Sequence, residues 1–229
     1  MASKHYQIMS LEKYNIFVWV IQMTEAISLG WNCSAAIHGV NIGIRTRKEH
    51  GYKTCPFDEM ITNYEGMIQC IEDDFKYFCD DKYLEIIKIP NESPHLNTDG
   101  SGDLIIYNSK YRFLLSHEYC HANLYISQKW EYGADHFIIN NYQNFKIRYE
   151  RRIQNMKNLL NSGKFIRFIL ARPNTTSVND IPKLNNTIKN KYPTLQYDFV
   201  FLDTDRSMFY DCLRLMKLDE NEDEVKRLN

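Results

Sequence analysis

The sequence carries no surplus of charge of either sign: 28 Lys and Arg stand against 29 Asp and Glu, a net charge of -1. A dedicated nucleic-acid binder is far more basic, so no nucleic-acid partner is expected. No run approaches the ~18 uninterrupted apolar residues of a membrane span, so no membrane partner is expected either. The best candidate, Ile16 to Met23, is too short, and it lacks the basic lead and small-residue cleavage site of a secretory signal. There is no internal repeat and no low-complexity linker to divide the chain. There is also no CxxC: Cys33, Cys55, Cys70, Cys79, Cys120 and Cys212 have spacings that suit neither a zinc ribbon nor a zinc finger. With no export signal, the six read as thiols in a reducing compartment, most of them core filler.

What is present is an ordinary globular composition, 44% hydrophobic and 25% charged over 229 residues. It predicts one domain across residues 1–229, with 1–15 and 218–229 loosely ordered. The abundance of Tyr, Asn, Ile and Lys fits an AT-rich genome such as that of a large DNA virus. The expected location is the cytoplasm, of a host if viral, or the virion.

The apolar pattern predicts a strand from Thr24 to Gly30, then a helix opening near Cys33 in Trp31-Asn32-Cys33-Ser34-Ala35-Ala36-Ile37. Residues 43–58 read as a loop, 59–79 as a helix and Leu84 to Ile89 as a strand. Residues 90–103 read as a polar loop. Leu104 to Tyr107 and Tyr111 to Glu118 read as a hairpin, with a helix over Tyr111 to Ser127 as the alternative. A strong helix follows over 135–161, a buried strand over Phe165 to Ala171, and a helix over 178–191 broken early by Pro182. Tyr197 to Leu202 is another buried strand and Met208 to Lys217 a last helix. Alternating helices and continuous apolar strands argue for parallel pairing. The expected fold is therefore α/β: a mostly parallel sheet flanked by helices in Rossmann-like layers, with a β-hairpin insertion.

Cys33 is the cysteine with a chemical argument. A helix N-terminus favours the thiolate, and its backbone N–H groups can hold an oxyanion. A strand-to-helix turn also presents the sulfur at the carboxyl end of a sheet, where open α/β folds bind ligands. The alternative is a thiol packing the first helix. A nucleophile needs a base. Of the seven histidines, His117 sits in the densest context, Phe113-Leu114-Leu115-Ser116-His117-Glu118, while His38 shares the short helix of Cys33.

The run Ser28-Leu29-Gly30-Trp31-Asn32-Cys33-Ser34-Ala35-Ala36 resembles the SLGxxCxxA signature of the putative papain-like cysteine peptidases, a family of unknown function. Arg45 followed by Pro56-Phe57-Asp58 resembles its Arg and PFDW block, with Glu59 here in place of Trp. Asp73-Asp74-Phe75, Phe113 to Glu118, Tyr149 to Ile153 and Lys164 to Arg172 are similar to later blocks, in the same order. The resemblance implies a Cys-His hydrolase with Cys33 as nucleophile and His117 as base. It implies Asp58 as an orienting or substrate-contacting carboxylate, with a loop cap as the other reading. It also implies an α+β papain-like fold, the alternative to the layered sheet.

Two other patterns compete. His117-Glu118-Tyr119-Cys120-His121 matches HExxH, in which His117 and His121 would bind zinc and Glu118 would polarise a water. No third ligand follows at the familiar spacing, and the leading expectation is no metal and no cofactor. The basic stretch Lys146, Arg148, Arg151, Arg152, Lys157, Lys164, Arg167 and Arg172 reads either as a solvated face or as an anion site. As an anion site it would suit coenzyme A, with Arg45 joining from the first half. The Gly30-x-Asn32-Cys33 run is also loosely similar to capsule polysaccharide acyltransferase-like proteins.

The sequence thus points to a cysteine-nucleophile hydrolase built on Cys33, His117 and Asp58. Asn32, Arg45, Arg152 and Arg172 are the candidate substrate contacts, for a peptide, glycan or small-molecule acyl substrate. Acyl transfer from a thioester, a non-catalytic binding protein and an HExxH zinc hydrolase are the alternatives.

Overall fold

The computed structural model describes residues 24–88, 104–119, 124–172 and 180–203. The apolar block Ile16 to Met23, the loop 90–103, Cys120, His121, Cys212, the helix expected over Met208 to Lys217 and both chain ends lie outside the described residues.

Among the described residues, six strands form two sheets of equal size. Strands β1 (Thr24–Ser28), β5 (Phe165–Arg172) and β6 (Tyr197–Asp203) are parallel, in the order β1-β5-β6. Strands β2 (Leu84–Lys88), β3 (Leu104–Asn108) and β4 (Phe113–Leu115) form an antiparallel meander. The fold is α/β in the broad sense: the expected parallel sheet forms, and an antiparallel sheet of equal size accompanies it. The expected hairpin gains β2 as a third strand and becomes a sheet in its own right. Three parallel strands in sequential order do not make a doubly wound, Rossmann-like arrangement among the described residues.

The helices follow the apolar spacing with shifted ends. Helix α1 (Cys33–Asn41) starts at the expected place because Asn32 is extended and its side chain caps Ser34 N at 2.9 Å. Helix α2 (Tyr64–Glu72) is much shorter than the predicted 59–79. Ile61 is held extended by reciprocal hydrogen bonds with Leu114 (2.9 and 3.0 Å), Asn63 caps Gly66 N at 2.7 Å, and Asp74 and Phe75 take left-handed φ values of 55° and 65°. A single turn forms α3 (Leu124–Ser127). Helix α4 (Ile139–Leu160) begins irregularly, with Asn140, Asn141 and Tyr142 left-handed, so its regular part starts after Tyr142. Helix α5 (Asp180–Lys191) runs through Pro182 unbroken. A proline in the first turn forfeits no intrahelical bond, since that N–H has no partner in any helix.

Strand β5 is central to the parallel sheet and buries alternate residues on opposite sides. Ile166, Phe168 and Leu170 enter the main core with Met67, Ile68 and Ile71 of α2, Phe145, Tyr149, Ile153 and Met156 of α4, and Leu184 and Ile188 of α5. Ile169 enters a smaller cluster with Ala26, Trp31, Ala35, Ile61, Ile105, Tyr107, Leu114 and Leu202. Each such large apolar side chain stabilises by about 1.5–3 kcal/mol on burial. The second cluster fixes Trp31, at the turn from β1 into α1, against the antiparallel sheet.

Candidate functional site

The β1–α1 junction is a tightly held turn. Gly30 has φ +91° and Trp31, an unusual residue for the left-handed region, has φ 71°. Thr62 holds both ends: its N–H donates to Trp31 O at 2.9 Å, and its Oγ1 accepts from Trp31 N at 2.8 Å. The next two residues are Asn32, the cap, and Cys33, the first residue of α1. Cys33 is half-buried, whereas Cys55 and Cys70 are fully buried. Burial pushes the thiols of Cys55 and Cys70 up, and that of Cys79 up to about 12. Cys33 is therefore the described cysteine that combines solvent access with a helix N-terminus at the carboxyl end of a parallel strand.

The helix N-terminus does not lower its pKa as expected. Burial raises the Cys33 thiol, its own backbone N–H pulls it back, and the Glu59 carboxylate raises it further; the net direction is upward. The oxyanion donors expected after Gly30 are also partly spent. Trp31 N–H donates to Thr62 Oγ1, and Ser34 N–H donates to Asn32 Oδ1. Asn32, a candidate substrate contact, uses its side-chain oxygen as the cap for Ser34 N–H and accepts from Ser34 Oγ as well.

Arg45 and Asp58 find each other, away from solvent. Arg45 Nη2 lies 2.8 Å from Asp58 Oδ2, with the side chains 6% and 1% exposed. Arg45 Nη1 donates to Ala36 O in α1 at 2.9 Å and its guanidinium stacks on Tyr52, 3.9 Å from the ring centroid. Asp58 Oδ2 also accepts from Cys55 N (2.7 Å) and Tyr52 OH (3.1 Å). Burial pushes the Asp58 carboxyl up while Arg45, Cys55 N–H and Tyr52 pull it down, leaving it above its ordinary value. This is the loop-capping geometry: Arg45 and Asp58 tie the 45–58 loop beneath α1.

The basic stretch is almost wholly paired. Lys146 meets Asp81 (3.2 Å), Lys157 meets Asp74 (2.7 Å), Lys164 meets Glu25 (2.7 Å) and Arg167 meets Asp198 (2.7 Å). Arg148 and Arg152 meet Glu59 and Glu118. These six cross-link α4 and the β5 region to the rest of the fold, while Arg151 is exposed. Arg172 ends β5 opposite Asp203 of β6, and its side chain lies outside the described residues.

Sequence reasoning missed Glu59, which stands where the resembled family has Trp. It closes a short 3-10 turn, Pro56–Glu59, that packs against β1, α1 and α4. Its carboxylate binds Lys48, Arg148 and Arg152. Burial raises the Glu59 carboxyl, but Arg152, Lys48 and Arg148 together hold it well below the usual range. The signal available was the four-residue spacing of Arg148 and Arg152, which puts both guanidinium groups on one helix face. Nothing in the sequence pointed to Thr62.

His117 is half-buried in the turn after β4, and Glu118 beside it is fully buried. The HExxH reading cannot be built on the described residues, since His121 lies outside them. Among the described residues no group of three or more His, Cys, Asp or Glu is placed to hold a metal. No described helix is long and apolar enough to cross a membrane.

Residues 24–207 match the family described as Putative papain-like cysteine peptidase (DUF1796). The chain belongs to this family. The match spans both sheets and includes Cys33, Glu59, His117, Glu118, Arg148 and Arg152. No curated protein and no solved structure matches the chain.

Proposed function

We propose that the chain is a thiol hydrolase in which Cys33 is the nucleophile and His117 the general base. The observation that carries this reading is the half-buried Cys33 at the start of α1, in a member of the family described as Putative papain-like cysteine peptidase. Cys33 Sγ would attack the acyl carbon as His117 takes the thiol proton. The tetrahedral species would collapse to a thioester as that proton passes to the departing amine or alcohol. Water, deprotonated by His117, would then release the acid and restore the thiol. Cys33 N–H, beside the sulfur, is the candidate donor to the oxyanion.

An upward-shifted thiol makes this a base-assisted nucleophile and not a resting ion pair. Acyl transfer from coenzyme A drew its support from an open basic patch, and that patch is paired. Hydrolysis of a peptide or similar acyl substrate is the reading retained.

The test is iodoacetamide labelling of Cys33, followed by mass spectrometry across pH. The rate should keep rising beyond pH ~8.5, the ordinary midpoint of a cysteine. His117→Ala should slow labelling at pH 7 by about tenfold, and Cys33→Ser should abolish the adduct. Equal rates for wild type and His117→Ala would remove His117 from the mechanism. A plateau below pH 7 would contradict an upward-shifted Cys33 thiol.

A further inference from the structure

Arg148 and Arg152 each touch the same two carboxylates. Arg152 Nη2 binds Glu59 Oε2, and its Nη1 lies 3.6 Å from Glu118 Oε1. Arg148 Nη2 lies 3.2 Å from Glu59 Oε2, and its Nε lies 3.3 Å from Glu118 Oε1. Two arginines and two glutamates make a quartet inside the fold, and the more exposed Lys48 adds a third cation at Glu59. Glu118 is 0% and Arg152 5% exposed at the side chain. A carboxylate this deep is stable only where cations face it, and removing one partner of such a pair is strongly destabilising. Both arginines are also braced by rings. The Arg148 guanidinium sits 5.0 Å from the centroid of Phe137, and that of Arg152 sits 5.0 Å from Tyr149. One helical turn further along α4, Asn155 Nδ2 donates to Thr54 O at 3.0 Å, tying the same helix to the chain just before the Pro56–Glu59 turn.

The two carboxylates belong to the two halves of the proposed centre. Glu59 is close enough to raise the Cys33 thiol, and its turn packs on α1. Glu118 is the neighbour of His117 in the chain. The segments carrying Cys33 and His117 are about eighty residues apart in sequence, and α4 supplies arms to both.

We propose that Arg148 and Arg152 form a two-armed clamp that sets the placement of His117 relative to Cys33. They are positioning residues, acting through Glu59 and Glu118 and not by contact with substrate. This rests on the proposed Cys33–His117 chemistry. It also replaces the expectation that Arg152 binds substrate, because its guanidinium is buried, with Nη2 on Glu59 and Nη1 facing Glu118 at ion-pair distance without a hydrogen bond. Lysine in either place keeps the charge but cannot span two carboxylates with a rigid fork.

Arg152→Lys and Arg148→Lys are compared with wild type, His117→Ala and Arg152→Lys/His117→Ala, each shown to be folded by its melting curve. Two readouts are taken: the rate of Cys33 labelling by iodoacetamide at pH 7, and the His117 imidazole carbon–proton signal in NMR spectra. Arg152→Lys should slow labelling by about three- to tenfold and shift or broaden the His117 signal. In the His117→Ala background the same substitution should change the rate by less than about twofold, since its effect passes through the imidazole. Should Arg152→Lys fail to fold, Arg148→Lys carries the same two readouts. An unchanged His117 signal in a folded lysine variant overturns the clamp, whatever the rates do. A full rate effect persisting without His117 overturns it as well. A moved His117 signal together with His117→Ala labelling at the wild-type rate would uphold the clamp and refute the mechanism it was proposed to serve.

Discussion

Replacing Gly30 by alanine tests whether the turn before Cys33 is held as described. An L side chain in the left-handed region costs about 1–2 kcal/mol. At Gly30 the added Cβ would also lie 3.0 Å from Thr62 Cγ2 and closer still to Thr62 Oγ1. Thr62 cannot swing aside freely, since it is buried and its Oγ1 accepts from Trp31 N–H at 2.8 Å. Overpacking adds about 1–3 kcal/mol, and loss of the Trp31 hydrogen bond adds about 1 more. The sum, about 3–6 kcal/mol, corresponds to a melting temperature lower by roughly 10–15 °C for a chain of this size. Gly51 is the control: its φ is +99°, and a Cβ there meets nothing within 4 Å. Gly51→Ala should cost only the backbone term, a fall of about 4 °C. Thermal unfolding of both variants, with Thr62→Ala and the double variant Gly30→Ala/Thr62→Ala, completes the comparison. The double variant should lose less stability than the two single losses added together. Equal melting for Gly30→Ala and Gly51→Ala, or simple additivity with Thr62→Ala, would refute the contact with Thr62.

Asp58→Asn should lower stability by about 3–5 kcal/mol, because it leaves the Arg45 guanidinium buried without its counter-ion. Chemical denaturation would show this, and a loss below about 1 kcal/mol would mean that the pair is not holding the loop. Glu59, held below the usual carboxylate range, contributes stability that is present above about pH 4.3, its unfolded value, and is lost as pH falls through its folded value. Wild type should therefore lose melting temperature on acidification below about pH 4 more steeply than Glu59→Gln, and parallel curves would count against the quartet.

The local signals in the sequence were read correctly at the first strand-to-helix junction, where neighbours in the chain decide the structure, and misread at Pro182, which sits in the first turn of α5 without breaking it. The strand Thr24–Ser28, the glycine turn and a helix with Cys33 at its first residue form because Asn32 caps Ser34 two residues on. The α2 region departed from its periodicity because a distant partner intervened: Ile61 pairs with Leu114, and a residue held in a β-bridge cannot also continue a helix. The third strand of the antiparallel sheet was visible as an apolar run, but its pairing with β3 is not encoded in either run alone. The charges of α4 were visible too, yet their meaning was not. Arg148 and Arg152 find Glu59 about ninety residues earlier and Glu118 about thirty earlier, and spacing along one helix cannot name such partners.

The pairing of β1 with β5 has a consequence for how the molecule is made. Thr24 aligns with Phe165, so the strand leading to Cys33 waits for a companion synthesised some 140 residues later. At ~5–20 residues per second of translation, that interval is on the order of ten seconds. A nascent chain released before β5 would contain the thiol, the imidazole and Glu59, and still lack the strand on which β1 is paired.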